Sequence, residues 1–93
     1  IKDSGLEISD ANRERIGCVI GSGIGGLPMI EDNHTELMNR GPRRVSPFLI
    51  PGSISNMIAG TVSIQYGLQG PNLAIVTACT TRLHSIGDAG RLI

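Results

Sequence analysis

Apolar residues in this chain fall in short blocks that stop at glycine. Ile1 to Leu6 reads as a helix end closed by Gly5, and Ser9-Asp10-Ala11-Asn12 is a polar turn that leads into the first strand. Arg15-Ile16-Gly17-Cys18-Val19-Ile20 is that strand, short and β-branched, and it runs into the glycine cluster Gly21-Ser22-Gly23-Ile24-Gly25-Gly26. Pro28 to Arg40 predicts a helix with Glu31, Asp32 and Glu36 towards its start and middle, Arg40 at its end and Gly41 as its stop. The three prolines of the segment from Pro42 to Pro51 exclude a central strand and predict an extended, rigid loop that packs on another element. Ser53 is placed to cap a helix that runs to about Tyr66 and ends at Gly67, with Ile54, Met57, Ile58 and Val62 on its apolar face. Asn72-Leu73-Ala74-Ile75-Val76-Thr77-Ala78 is too apolar to alternate and predicts a second strand covered on both faces. From Thr80 or Thr81 the period becomes helical through Leu83, Ile86, Ala89 and Ile93.

That order sets Cys79 where a strand turns into a helix. A thiol attacks as its thiolate, and the unpaired N–H groups and positive dipole end of a helix N-terminus favour that form. A sharp turn there also raises the nucleophile above the sheet edge and lets its own N–H join an oxyanion hole. A small buried cysteine that ends a core strand is the plainer alternative. Cys18, inside the first strand, reads as core.

Composition narrows the chemistry. Eight basic and eight acidic residues balance to zero, which gives no general attraction for nucleic acid, and two aromatic residues, Phe48 and Tyr66, make no base-stacking platform. No apolar run approaches the roughly 18 residues of a membrane span, and no secretory pattern is present, so a cytoplasmic protein is expected. The two cysteines lie far apart, without the spacing of zinc sites or disulfide frameworks, so no metal is expected and both thiols read as reduced. The chain begins without methionine and ends in an apolar helical stretch without a stop signal, so both ends read as cut from a longer protein.

Thr77-Ala78-Cys79-Thr80-Thr81 followed by His84-Ser85-Ile86-Gly87 resembles the active-site signature of the β-ketoacyl-acyl-carrier-protein synthases. Gly21 to Gly26, Glu31-Asp32-Asn33-His34, Gly41 to Phe48 and Tyr66-Gly67-Leu68-Gln69-Gly70-Pro71 resemble successive blocks of the bacterial type II enzymes, closest to the elongating class. The likeness spans residues 1–93, read as one fragment of the family's N-terminal domain. It implies an α/β fold of the thiolase-like layered α-β-α kind, present here in part, and a homodimer. It also implies a condensing enzyme of fatty acid elongation, in which Cys79 takes an acyl group from acyl carrier protein before a decarboxylative Claisen condensation with malonyl carrier protein. No cofactor is implied, because the substrates ride on the phosphopantetheine of the carrier. By the same resemblance Ile24 walls the acyl pocket, Leu49 and Ile50 line the partner subunit's pocket, and Arg43 and Arg44 dock the acidic carrier. The family's decarboxylation step uses two histidines and a lysine of its C-terminal half.

His84 does not fill that role. Five residues along a helix from Cys79 it is rotated by roughly 140° and raised by about 7.5 Å, so it reads as a packing or hydrogen-bonding residue. His34 reads as a surface histidine. Arg82 stands where the family has glycine, which puts bulk and positive charge in the first turn of the helix, against its dipole.

Two further readings compete. Gly21, Gly23 and Gly26 after a strand also satisfy a dinucleotide fingerprint, with Arg43 or Arg44 available to a 2′-phosphate of NADP, yet Pro47 and Pro51 break the segment where its second strand belongs and the expected acidic residue is missing. The other is a catalytically inactive fragment that keeps part of a condensing-enzyme fold.

Overall fold

The computed structural model describes residues 1–93, and its two strands meet through backbone groups spread more widely than the strands themselves. β1 (Cys18–Val19) pairs in parallel with β2 (Asn72–Leu73), with Cys18 opposite Asn72 and Val19 opposite Leu73. The contact continues on either side: Gln69 N–H donates to Arg13 O at 2.8 Å, Gly70 N–H to Ile16 O at 2.9 Å, Cys18 N–H to Pro71 O at 2.7 Å and Ile20 N–H to Leu73 O at 3.2 Å. The strands predicted over 15–20 and 72–78 are therefore much shorter in regular form. Arg13–Arg15 closes a 3-10 turn instead, and beyond Leu73 no neighbour continues the ladder.

Helices make up most of the rest. α1 (Leu27–Arg40) carries Pro28 in its first turn, where a missing N–H costs nothing, and ends at Gly41 with φ +84°, as its sequence requires. α3 (Asn56–Tyr66) ends at Gly67 in the left-handed region, with Gly67 N–H bonded to Ser63 O. α4 (Thr81–Leu92) follows a 3-10 turn at Ala78–Thr80. Gly5 closes the first 3-10 turn, Lys2–Ser4, in the left-handed region.

The proline-bearing segment departs from the extended loop predicted for it. It holds a 3-10 turn at Pro42–Arg44 and a short helix, α2 (Leu49–Ser53). Pro42 and Pro51 both fall within first turns, where the ring supplies a helical φ and no N–H is needed. The expected packing on another element is present. Asn33, buried on α1, accepts the Ser46 N–H at 2.7 Å and donates to Met29 O at 2.9 Å, which ties the segment to α1. Ser53 ends α2 rather than capping α3; its hydroxyl turns back to Ile50 O, and α3 starts three residues later.

β2 docks on α3 through Asn72, whose amide donates to Ala59 O at 3.0 Å and to Ser63 Oγ at 2.6 Å. Ala59 beneath it has no exposed surface. Only five of the 93 residues are buried, and the radius of gyration is 16.2 Å, against about 12 Å for a compact domain of this length. The expectation that the second strand is covered on both faces does not hold within these residues: Asn72 and Leu73 are exposed and Val76 is 52% exposed. One two-residue ladder with helices on it is too little structure to enclose a strand.

The tightest packing involves the glycine-rich segment between β1 and α1. A Cβ on Gly21 would run into Ile75 O, Thr81 Cγ2 and Ser85 Oγ, and one on Gly26 into Gly52 O. Gly23 has room, its nearest neighbour being Ala78 O at 3.7 Å. Gly21→Ala is therefore expected to lower the stability of the full chain by about 1–3 kcal/mol, the usual cost of overpacking, whereas Gly23→Ala costs less than about 1 kcal/mol. Urea unfolding midpoints of the two variants check the difference.

Candidate active site

From Ala74 to Thr77 the backbone runs out of the β2 ladder and must reverse to start α4. It does so at Ala78, whose φ of +52° makes it the one non-glycine residue in the left-handed region. An L-residue there costs about 1–2 kcal/mol and persists only where neighbours over-determine it. Two threonine hydroxyls, those of Thr81 and Thr80, supply that determination. Thr77 N–H donates to Thr81 Oγ1 at 2.8 Å, Thr81 Oγ1 donates onward to Ala78 O at 2.7 Å, and Thr80 Oγ1 donates to Thr77 O at 2.7 Å. Thr81 is buried, and Ser85, one turn on, is buried with its hydroxyl bonded to Thr81 O at 2.8 Å.

Cys79 is the middle residue of this 3-10 turn and its thiol is exposed, while Cys18 is buried opposite Asn72. The turn feeds directly into α4, whose first N–H groups lack partners within the helix. Arg82, in that first turn, is exposed and joins no ion pair. Its charge faces the positive end of the helix dipole with no carboxylate to offset it.

The segment Gly21 to Gly26 lies between this turn and α2. Gly21 rests on Ile75, Thr81 and Ser85, and at the other end Gly26 N–H donates to Ser53 O at 2.9 Å. Ile24 rides on the segment with 71% of its surface exposed, one residue from Gly23, which faces Ala78. The structure thus places Ile24 next to the glycine that faces Ala78, the residue before Cys79. Leu49 and Ile50 are placed elsewhere. They border a groove of about 290 Å³ with Ile30, Leu37 and Val45, whose walls include neither Cys79 nor Ile24. Arg43 and Arg44 stand exposed on the 3-10 turn after Gly41, without a carboxylate partner.

Two of the three glycines of the dinucleotide fingerprint, Gly21 and Gly26, are accounted for by this internal packing. The space next to Gly21 and Gly26 is filled by the chain's own backbone, and β2 follows three helices rather than one. His34 is exposed on α1 at the edge of the α1–α2 groove. His84, exposed on α4, is within hydrogen-bond distance of the Thr77 hydroxyl and lies 3.4 Å from an Asp88 carboxylate oxygen. No three His, Cys, Asp or Glu side chains come together as a metal site.

Sequence reasoning passed over the threonines as structural residues and took Thr77, Thr80 and Thr81 only as parts of a signature. Their spacing around a single cysteine is itself a signal, because short hydroxyl side chains bond nearby backbone and favour turns and helix starts.

The β-ketoacyl synthase N-terminal domain model matches residues 1–93. The chain is 61% identical over 92 residues to 3-oxoacyl-(acyl-carrier-protein) synthase 2 of Coxiella burnetii, covering 99% of this chain and 22% of that protein. It is 60% identical to the protein of the same name from Vibrio cholerae and 52% identical to that of Staphylococcus aureus strain N315, covering 100% of this chain and 22% of each relative. These 93 residues thus span about a fifth of the length of the curated relatives they match. With an exposed cysteine on a threonine-held turn and a family match from end to end, the chain belongs to the β-ketoacyl synthase N-terminal domain family.

Proposed function

We propose that the protein is an elongating condensing enzyme of fatty acid synthesis, an acyltransferase in which Cys79 is the acyl acceptor. The observation that carries this reading is the exposed Cys79 thiol on a strained turn at the start of α4, inside a segment matching 3-oxoacyl-(acyl-carrier-protein) synthase 2 proteins from end to end. In the first step the Cys79 sulfur attacks the thioester carbonyl of an acyl group on the phosphopantetheine of acyl carrier protein. The new carbon–sulfur bond forms as the old one breaks, and the carrier thiol leaves with the proton that the cysteine gives up. In the second step malonyl carrier protein loses carbon dioxide, and its carbanion attacks the Cys79 thioester and releases the cysteine. No histidine of these 93 residues is placed for that decarboxylation, since His34 lies on α1 and His84 is engaged with Thr77 and Asp88.

The remaining assignments follow from this one. Ile24 walls the acyl pocket beside the nucleophile, and its exposed side chain is free to swing aside for a growing chain. Leu49 and Ile50, bordering a groove on α2 that does not include Cys79, line the pocket of the partner subunit in a homodimer. Arg43 and Arg44 are unpaired charges on a proline-stiffened turn, a disposition suited to an acidic carrier protein. The fold is the thiolase-like layered α-β-α architecture, of which these residues form one parallel strand pair and its helices. No helix is long and apolar enough to cross a membrane, and a cytoplasmic location is proposed.

Three outcomes follow. Incubation of the full chain with an acyl thioester of N-acetylcysteamine is expected to acylate Cys79 and leave Cys18 unmodified, as read by peptide mass spectrometry; Cys79→Ala removes the adduct and Cys18→Ala does not. Equal modification of both cysteines in folded protein refutes the assignment. Arg82→Gly is expected to slow acylation about two- to fivefold, because the guanidinium adds to the positive helix end that stabilises the anionic transition state. With acyl carrier protein as donor, Arg43→Glu and Arg44→Glu together are expected to raise KM about tenfold while kcat is nearly unchanged, because charges at the rim of a docking site govern encounter.

A further inference from the structure

Thr77, the residue at which the nucleophile turn begins, is held through its backbone by Thr81 and Thr80 and through its side chain by a third residue. Its hydroxyl lies 3.3 Å from His84 Nδ1. The opposite ring nitrogen, Nε2, lies 3.4 Å from Asp88 Oδ2, and the other oxygen of that carboxylate lies 4.0 Å from Arg91 Nη1. Residues 84, 88 and 91 share one face of α4 by helical spacing, so the helix itself builds this row. Asp88 as a carboxylate only accepts, which favours the ring proton on Nε2. Nδ1 is then an acceptor aimed at the Thr77 hydroxyl.

We propose that His84, oriented by Asp88, is a positioning residue for Cys79. By fixing the Thr77 side chain it locks the entry to a turn whose next two residues are the left-handed Ala78 and the nucleophile. This rests on the reading of Cys79 as acyl acceptor. Thr77 itself has φ −136° and ψ 45°, outside the regular helix and strand regions, so both residues before the cysteine hold conformations that their neighbours must enforce. Acyl transfer needs the sulfur and the N–H groups that stabilise the oxyanion in one fixed arrangement, whereas simple alkylation needs only an exposed thiol. A lost side-chain anchor at Thr77 therefore slows the first reaction and spares the second.

The two reactions separate on a short variant series of the full chain, with the N-acetylcysteamine thioester as acylating probe and iodoacetamide as alkylating probe. His84→Asn puts an amide oxygen near the place of Nδ1 and keeps a partner for Thr77. His84→Gln puts its amide near the place of Nε2 and loses that partner, and Thr77→Val removes the contact from the other side. His84→Gln and Thr77→Val are expected to slow Cys79 acylation about fivefold, the effect of one hydrogen bond, with alkylation kept within about twofold. His84→Asn restores most of the acylation rate, and Thr77→Val combined with His84→Gln is no slower than either alone, because both remove one interaction. Unchanged acylation in every variant, equal slowing of both reactions, or additive losses would overturn the proposal. Failure of the unsubstituted chain to acylate Cys79 in preference to Cys18 shows itself before any substitution, and overturns the acceptor reading together with this one.

Discussion

The candidate site depends on one backbone constraint, the close approach of the Gly21–Gly26 segment to the turn that carries Cys79. At Gly21 the two stretches are so near that no side chain fits between them, and the atoms in the way belong to Ile75, Thr81 and Ser85. Thr81 is buried by this contact and spends its hydroxyl on both sides of the turn, accepting from Thr77 and donating to Ala78. A left-handed alanine survives at position 78 because the bonds around it leave the chain no other path. Remove the close approach and Thr81 becomes a surface threonine, with water competing for every bond that it makes.

The same contact explains why so small a segment shows a defined site although it encloses almost no core. Hydrophobic burial is weak here, with Cys18 and Ala59 the only buried apolar residues. Local order comes instead from hydrogen bonds to backbone: Asn33 to Ser46, Asn72 to Ala59, and the threonines to one another's main chain. Such bonds specify geometry well but contribute modest net stability, about 1 kcal/mol each, against a conformational entropy cost of similar or larger size per residue. The exposed apolar side chains, Ile24, Phe48, Ile50, Ile64 and Leu83 among them, hold the hydrophobic contribution in reserve. The length of the matched relatives, of which this chain spans 22%, gives that surface its context.

Legibility in the sequence followed the range of the interaction. Helix ends set by one residue were readable: Gly5, Gly41 and Gly67 each take positive φ and each ends the element predicted to stop there. The start of α4 at Thr81, with Cys79 just before it, followed from the change of period. Strand lengths were not readable, because apolar content says that a segment can pair and not how far a partner runs beside it. Asn72 to Ala78 has the composition of a buried strand but has a paired neighbour only as far as Leu73. The proline-bearing loop misled for a local reason: Pro51 breaks a helix interior, yet it sits in the first turn of α2, where it is tolerated. In the candidate site, the place of Cys79 just before α4 could be read from sequence, whereas the contact of Thr77 with the His84–Asp88 row required knowing that Thr77 faces α4.

Cysteine is the shortest of the sulfur nucleophiles, with a single rotatable bond between backbone and sulfur. Placed on a flexible loop it could seek its substrate; placed on a turn fixed by Thr77, Thr80 and Thr81 it has almost no reach. In the proposed reaction all of the travel therefore falls to the carrier's long phosphopantetheine arm, which loses its freedom on delivery, while the protein side meets it already ordered. The division of labour is one of entropy: the stationary partner has been ordered during folding, and each turnover immobilises only the visiting arm.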